Sequence, residues 1–121
     1  MKILIVDDVQ EYADSLSRAL EAGHETVVVN NLEDGKRRMD NSVGLALVDV
    51  RLSEEDIANR DGIMLLSWLR ENYPSVPVVM MSAYRDFDAA LDTLNLGACR
   101  FLKKPISLRE LKEVIAACQR Q

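Results

Sequence analysis

The sequence has few of the residues that zinc sites, histidine-based catalytic sites and membrane spans need. Its 121 residues contain one histidine and two cysteines, too few for a zinc site or for a histidine dyad with its partners. The apolar runs are only as long as strands, and the run after Lys2 ends at Asp7, so neither a transmembrane helix nor a signal peptide is expected. The formal net charge is −5, which argues against direct contact with nucleic acid or an anionic membrane. We therefore expect a cytoplasmic protein.

The two cysteines are expected to be unpaired. Cys99 lies in an apolar, strand-like run, and Cys118 lies on the apolar side of the last predicted helix. A chain of this length can bury a full core without crosslinks, and disulfides are rare in the cytosol. We therefore predict two small, buried thiols in a reducing compartment.

What the sequence does contain is a regular alternation of strand-like and helix-like segments. Short apolar runs alternate with segments whose apolar residues recur every three or four positions, as on one face of a helix. Ser107, with Glu110 three residues later, predicts the start of the last helix. Five such pairs predict a single α/β domain over residues 1–121, with a parallel sheet covered by helices on both faces. The predicted strands cover residues 3–6, 26–29, 45–48, 78–81 and 99–102.

The expected strand order is 2-1-3-4-5, described as flavodoxin-like, because it is the common order of doubly wound sheets with five strands. Its consequence concerns the polar residues that follow four of the predicted strands. Strands 1 and 3 become neighbours at the switch point, where ligands bind outside the carboxyl ends of the strands. We therefore expect one crevice to contain the side chains of Asp7, Asp8, Asp49, Ser82 and Lys104.

This set of residues predicts metal-assisted phosphoryl chemistry. Two unit charges about 4 Å apart repel by about 4 kcal/mol at an effective dielectric of about 20, so either a proton or a cation must offset the three carboxylates. An oxygen-only site that is open to water suits Mg²⁺. Asp49 would be the nucleophile, while Lys104 and Ser82 would stabilise the transferred phosphoryl group. Taken singly, each residue also fits a helix cap, a turn or a solvated charge. The hypothesis depends on all of them occurring together.

Six segments spread along the chain match a known family: residues 3–8, 47–49, 61–62, 81–84, 96–98 and 101–105. Through them the chain resembles, over essentially its whole length, the bacterial response-regulator receiver domains, which include the chemotaxis regulators of two-component systems. The resemblance implies a phosphorylation-operated switch in which Asp49 accepts a phosphoryl group from a phosphohistidine of a sensor kinase. It implies that the domain is not an enzyme, beyond catalysing its own phosphorylation and dephosphorylation.

The resemblance also implies a metal site. It predicts Mg²⁺, with Mn²⁺ as the alternative, held by the side chains of Asp8 and Asp49 and by the backbone carbonyl of Arg51. Asp7 would assist, often through water. Arg51 and Tyr84 sit where their side chains can flank the phosphoryl group, and we predict that they modulate dephosphorylation.

Lys104, which directly precedes Pro105, matches the phosphate-pairing lysine of the family, and the bond between these two residues is expected to be cis. Ser82 and Phe101 match the switch pair, whose hydroxyl moves toward the phosphoryl group while the ring turns inward. This movement biases the face formed by helix 4, strand 5 and helix 5. A downstream effector domain, an effector protein or a second protomer would dock there.

One segment departs from the family pattern. The family commonly places an Asp-Gly pair about eight residues after the phosphoacceptor aspartate, whereas Gly62 lies 13 positions after Asp49. The segment at residues 53–60 is therefore longer by about five residues, and it is also acidic. It is either a tolerated surface insertion or a loop that overhangs the site and tunes access of metal, phosphodonor or water.

Three other functions each fit part of the sequence. A phosphohydrolase with an aspartate nucleophile would resemble the haloacid dehalogenases, but position 51 is arginine where those enzymes carry a second aspartate, and the chain has no cap domain. A docking module that is never phosphorylated does not need the acidic set and Lys104. A dinucleotide-binding domain would need a glycine-rich loop where Asp7 and Asp8 stand.

Overall fold

The strands and helices alternate along the chain, as the apolar pattern predicts. The computed structural model describes residues 1–53, 55–83 and 87–119, without the side chain of Phe87. In these residues the strands are β1 (Lys2–Val6), β2 (Glu25–Val29), β3 (Val43–Asp49), β4 (Val78–Ser82) and β5 (Arg100–Lys103). The helices are α1 (Gln10–Leu20), α2 (Leu32–Arg38), α3 (Asp61–Asn72), α4 (Phe87–Asn95) and α5 (Leu108–Gln119).

The strands form one parallel sheet in the order β2-β1-β3-β4-β5. This confirms the flavodoxin-like, doubly wound architecture. Every residue of β4 is buried, and in β3 only Gly44 is partly exposed. Burial on both faces explains why these strands have continuous apolar sequences rather than alternating ones.

The core has two halves, one on each face of the sheet, because neighbouring residues of a strand point to opposite sides. In β1, Leu4 and Val6 belong to the half that packs against α2, α3 and α4. Ile3 and Ile5 belong to the half that packs against α1 and α5. Helices therefore cover both faces, and the carboxyl ends of the strands stay accessible at one edge.

The prediction of two free thiols is wrong, because Cys99 and Cys118 form a disulfide. Cys99 directly precedes β5 and Cys118 lies in the last turn of α5, with Cα atoms 6.2 Å apart. That distance is within the range a disulfide spans. The two cysteines are 19 positions apart in the sequence, and they meet because α5 runs back along the sheet after β5.

The structure agrees with the predicted start of α5 and shows a side-chain hydrogen bond just before α1. Ser107 Oγ accepts a hydrogen bond from the backbone N–H of Glu110 at 3.1 Å, as a helix cap does. Before α1, Asp7 Oδ1 accepts from the backbone N–H of Val9 at 2.9 Å. Among the described residues, no helix has the length and apolarity needed to cross a membrane.

Candidate functional site

Three carboxylates meet at the carboxyl ends of β1 and β3. Asp7 and Asp8 follow β1, and Asp49 is the last residue of β3. Because Val6 pairs with Val48 in the parallel register, the residues that follow them lie side by side. Carboxylate oxygens of the three aspartates lie within 4.8 Å of one another.

Lys104 joins this cluster from the end of β5. Its Nζ donates to Asp7 Oδ2 at 2.5 Å and to Asp49 Oδ2 at 2.9 Å. Its backbone N–H donates to the carbonyl of Ser82 at 2.9 Å, and the following bond to Pro105 is cis. Lys103, by contrast, is exposed, as alternation along a strand requires.

Tyr12 of α1 supports Lys104, a contact that sequence reasoning missed. Nζ of Lys104 lies 4.6 Å from the centre of the Tyr12 ring, within the distance of a cation–π interaction. The Tyr12 hydroxyl accepts from the backbone N–H of Ile106 at 3.1 Å, which anchors the segment after β5. In the sequence Tyr12 is one of several residues on the apolar face of a helix, and nothing there marks this role.

Burial determines the electrostatics of Asp49. Burial raises the pKa of Asp49 from 3.8 to about 6 although the charge of Lys104 lowers it, and the charges of Asp7 and Asp8 raise it further. Burial lowers the pKa of Lys104, but the charge of Asp49 and the hydrogen bonds to Asp7 and Asp49 outweigh burial, so that the pKa is raised. The lysine therefore stays charged and offsets only part of the negative charge.

The donor set fits a hard divalent cation. With all groups ionised, three carboxylates face one ammonium, which leaves two negative charges in excess. Oxygen ligands open to water suit Mg²⁺, which keeps several waters and takes one or two carboxylates. The side chains border a small cavity of about 80 Å³. It is lined by Asp8, Val9, Asp49, Arg51, Ser53, Ala83 and Lys104.

Gly62 lets α3 approach the backbone of the site. A Cβ at this position would lie 1.8 Å from the carbonyl oxygen of Asp49 and 2.7 Å from that of Val50. The N–H of Gly62 donates to the carbonyl of Val50 at 3.0 Å. The dipeptide at 61–62 was one of the matching segments, and its physical reason is this close approach, which only a residue without a side chain permits.

Asn59 holds the long segment after β3 against the domain. Its Oδ1 accepts from the backbone N–H of Leu52 and of Asp61, each at 2.9 Å. Of the described residues 53 and 55–60, only Ser53 lines the cavity. Ile57 points outward and is 78% exposed. Sequence reasoning missed the contacts of Asn59, because they depend on the path of the loop.

The predicted switch and modulating residues lie in different surroundings. Ser82 ends β4 and is 3% exposed. Phe101 in β5 is half-buried and packs against the half of the core under α3. Arg51 is half-buried and lines the cavity. Tyr84 lies outside the described residues.

The fold and the site together define a class: a doubly wound α/β domain whose switch point contains an acidic cluster bridged by lysine. The response regulator receiver domain family matches residues 3–116, and the chain belongs to this family of two-component signalling domains.

Similar proteins agree with this assignment. Response regulator protein FleR of Pseudomonas aeruginosa is 33% identical over 116 residues, which are 95% of this chain and 24% of that protein. Regulatory protein AtoC of Escherichia coli is 33% identical over 116 residues, which are 94% of this chain and 24% of that protein. The chain therefore spans about a quarter of the length of these curated relatives.

Solved structures share the fold. A response regulator receiver domain protein from Methanospirillum hungatei superposes with a TM-score of 0.87 at 29% identity, covering 98% of this chain and 93% of that chain. The receiver domain of NtrX from Brucella abortus gives 0.87 at 28% identity and covers 98% of both chains.

Proposed function

We propose that residues 1–121 form one receiver domain that acts as a phosphorylation-operated switch, with Asp49 as the phosphoacceptor. The observation that carries this proposal is the ammonium of Lys104 between Asp7 and Asp49, beside the third carboxylate of Asp8. The arrangement supplies a carboxylate nucleophile and a fixed positive charge at one cavity. Phosphoryl transfer asks for little more from a protein than position and charge.

In the proposed step, a carboxylate oxygen of Asp49 attacks the phosphorus of a phosphohistidine on a sensor kinase. The P–N bond breaks, the electron pair returns to the imidazole, and the product is an aspartyl phosphate. Lys104 then pairs with a phosphoryl oxygen, and the hydroxyl of Ser82 donates to another. Asp8, Asp49 and the Arg51 carbonyl, with Asp7 assisting, would hold Mg²⁺ or Mn²⁺, which would supply positive charge to offset the carboxylates and the phosphoryl oxygens.

The modification is proposed to reach partners through the face formed by α4, β5 and α5. Ser82 moves toward the phosphoryl group, and the half-buried ring of Phe101 turns inward, so that phosphorylation selects one of two packings close in free energy. Four large apolar side chains of α4, of the loop after it and of the start of α5 are each at least 44% exposed: Leu91, Leu94, Leu96 and Leu108. Exposed apolar groups on the elements of this face favour a protein partner there.

We propose three protein partners: a sensor histidine kinase, an effector domain or protein, and a second copy of the chain docked through the same face. One relative, the DNA-binding transcriptional regulator NtrC of Klebsiella pneumoniae, is 32% identical over 106 residues, and those residues are 22% of its length. By analogy, the output would lie outside the receiver domain. The acidic domain itself is proposed to act in the cytoplasm, without nucleic acid or membrane as a direct partner and without turnover of other substrates.

Intact mass spectrometry tests the phosphoacceptor. With a small acyl-phosphate donor and Mg²⁺, the parent is expected to gain one phosphoryl group and Asp49→Asn none. Asp40→Asn is the matched control, since Asp40 is exposed and lies outside the cluster; it should be labelled like the parent. Equal labelling of D49N and the parent would remove Asp49 from its role.

Arg51 and Tyr84 are proposed to modulate loss of the phosphoryl group. Arg51 borders the cavity, where its side chain can flank the phosphoryl oxygens and restrict water. Replacing either residue by alanine should change the lifetime of the aspartyl phosphate, measured by the decay of the phosphorylated mass. Parental lifetimes in both variants would contradict the proposal.

A further inference from the structure

The disulfide between Cys99 and Cys118 lies at the amino ends of the strands, whereas Asp49 lies at their carboxyl ends. Cys99 precedes the first residue of β5, whereas the aspartates stand at the carboxyl ends of β1 and β3. In a parallel sheet the amino ends of all strands lie on one side of the domain and the carboxyl ends on the other. The disulfide is therefore separate from the phosphoryl site, although it connects the residue before β5 to α5, two elements of the face through which output is proposed.

The disulfide joins the last turn of α5 to the sheet. Leu111, Val114 and Ile115 bury the upstream part of this helix, and Cys118 is its last buried residue, followed by exposed Gln119. The covalent link at Cys118 thus attaches the end of the helix to the residue before β5, and Gln119 Nε2 adds a contact at 2.9 Å to Sδ of Met1. Opening the disulfide would leave that turn held by this contact, by side-chain packing and by helix hydrogen bonds.

A groove of about 540 Å³ leads to the disulfide. Both cysteines line it, together with Gly97, Ala98 and Arg70. Cys118 is only 2% exposed, while Cys99 is half-buried. A small thiol in the groove therefore meets Cys99 first.

Arg100 places a positive charge at the same sulfur. Its Nη1 lies 3.9 Å from Sγ of Cys99 and donates to the Cys99 carbonyl at 2.8 Å. A cation beside a cysteine favours the thiolate over the thiol, and the thiolate is the form that attacks and leaves in disulfide exchange. The charge of Arg100 also attracts an anionic thiol.

We propose that Cys99 and Cys118 form a reversible thiol–disulfide switch, operated by low-molecular-weight thiols and disulfides of the glutathione type, that controls how firmly the end of α5 is attached to β5. The link to output rests on the proposed function, as does the cytoplasmic setting. In that compartment a disulfide is more often transient or redox-sensing than structural. The domain would then receive two inputs, one at Asp49 and one at the disulfide.

The exchange balances with two molecules of thiol. The first thiolate bonds to Sγ of Cys99, the bond between the two cysteines breaks, and Cys118 leaves with the electron pair and takes a proton. A second thiolate attacks the sulfur of the attached molecule, and Cys99 leaves as a thiolate beside Arg100 before it is protonated. The cysteines are reduced to two thiols, and the small thiols are oxidised to one disulfide.

The first test is redox cycling of the folded protein. Oxidised protein is incubated with a glutathione buffer of increasing reduced fraction, quenched with a maleimide and weighed. We expect zero labels in the oxidised protein, two in the reduced one, return to zero on adding oxidised glutathione, and a folded circular dichroism spectrum throughout. A protein that takes labels after oxidation, that resists reduced glutathione, or that unfolds when reduced would overturn the proposal.

The second test concerns Arg100. In the reduced protein, Arg100→Gln should slow alkylation of Cys99 about fivefold, as expected from losing a charge contact near 4 Å at the surface. Arg109→Gln is the matched control, because Arg109 is exposed, pairs with Glu113 and lies about 13 Å along α5 from Cys118. Equal rates for both variants would contradict the role of Arg100.

The third test separates this switch from the phosphoryl site. Reduction should accelerate hydrogen exchange in the last turn of α5 by about tenfold, because local opening becomes easier, while β3 exchange stays the same. Cys99→Ser and Cys118→Ser should both show the fast rate in either redox buffer. The acyl-phosphate labelling of Asp49 is measured in parallel. Loss of labelling alone would contradict the phosphoacceptor, whereas equal α5 exchange in both redox states would contradict the switch.

Discussion

Nζ of Lys104 lies 2.9 Å from Oδ2 of Asp49, across 55 positions of sequence. Nevertheless burial keeps the pKa of Asp49 at about 6, above the ordinary 3.8. The ammonium of Lys104 therefore orients the Asp49 carboxylate, but its charge does not outweigh the effect of burial on the pKa. A cation that enters the cavity would further stabilise the ionised form of Asp49.

The first prediction concerns that lysine. Lys104→Gln removes the positive charge that lowers the pKa of Asp49, so the pKa should rise above about 6. A titration of the Asp49 carboxyl carbon by NMR, without divalent metal, measures the shift. Lys103→Gln is the matched control, because Lys103 neighbours Lys104 in sequence but is exposed. An unchanged pKa of Asp49 in K104Q, or an equal shift in K103Q, would contradict the contact between Lys104 and Asp49.

The second prediction concerns stability against pH. Because the pKa of Asp49 is 3.8 unfolded and about 6 folded, the folded state binds more protons than the unfolded state between these values. The contribution of Asp49 to the free energy of unfolding is then largest below pH 3.8 and is lost as pH rises to about 6. The full loss is about 3 kcal/mol by linkage.

Comparing the parent with Asp49→Asn separates this contribution from that of carboxyl groups outside the cluster, which both proteins share. Urea unfolding without divalent metal should show D49N gaining stability relative to the parent from pH 4 to pH 6, with a plateau above, a window set by the 3.8 and 6 values. Mg²⁺ should reduce the difference, because it binds the folded parent. A difference independent of pH would mean that burial does not perturb Asp49.

The third prediction concerns Gly62. A methyl group there would meet the Asp49 carbonyl oxygen at 1.8 Å, so Gly62→Ala must move either α3 or the strand end that positions Asp49. We expect a loss of about 3 kcal/mol or more in the free energy of unfolding, at the upper end for overpacking. Gly23→Ala is the control, since no heavy atom lies within 4 Å of its added carbon. Similar stability of the two variants would refute the close approach.

The predicted and observed structures agree where burial determines the pattern of apolar residues along the chain. The strands were predicted because residues such as Leu47 and Met80 sit in unbroken apolar runs, and the acidic cluster because Asp7 and Asp49 interrupt such runs at their ends. Contacts that depend on the path of the chain have no corresponding pattern in the sequence, so they were not predicted. The Cys99–Cys118 disulfide and the support of Lys104 by Tyr12 each require knowing which helix end returns to which strand.

The last prediction concerns the acidic segment that begins at Ser53. Near the end of this segment, Asn59 accepts hydrogen bonds from the backbone N–H groups of Leu52 and Asp61. Residues 54–58 can therefore be deleted while all three of these residues are kept. The deletion removes three carboxylates, Glu54, Glu55 and Asp56. We expect weaker Mg²⁺ binding by about two- to threefold, a modest change because exposed charges are screened within about 8 Å at physiological salt. We also expect a shorter aspartyl-phosphate lifetime, because water reaches the site more readily.

A length-matched variant distinguishes charge from coverage. Replacing Glu54 and Glu55 by Gln and Asp56 by Asn keeps the loop but removes its charge, so it should reproduce the weaker Mg²⁺ binding and retain the parental lifetime. Mg²⁺ titration followed by the NMR signal of the Asp49 carboxyl carbon and decay of the phosphorylated mass provide the two measurements. Parental values of both in the deleted protein would show that the segment is a surface insertion without influence on Asp49.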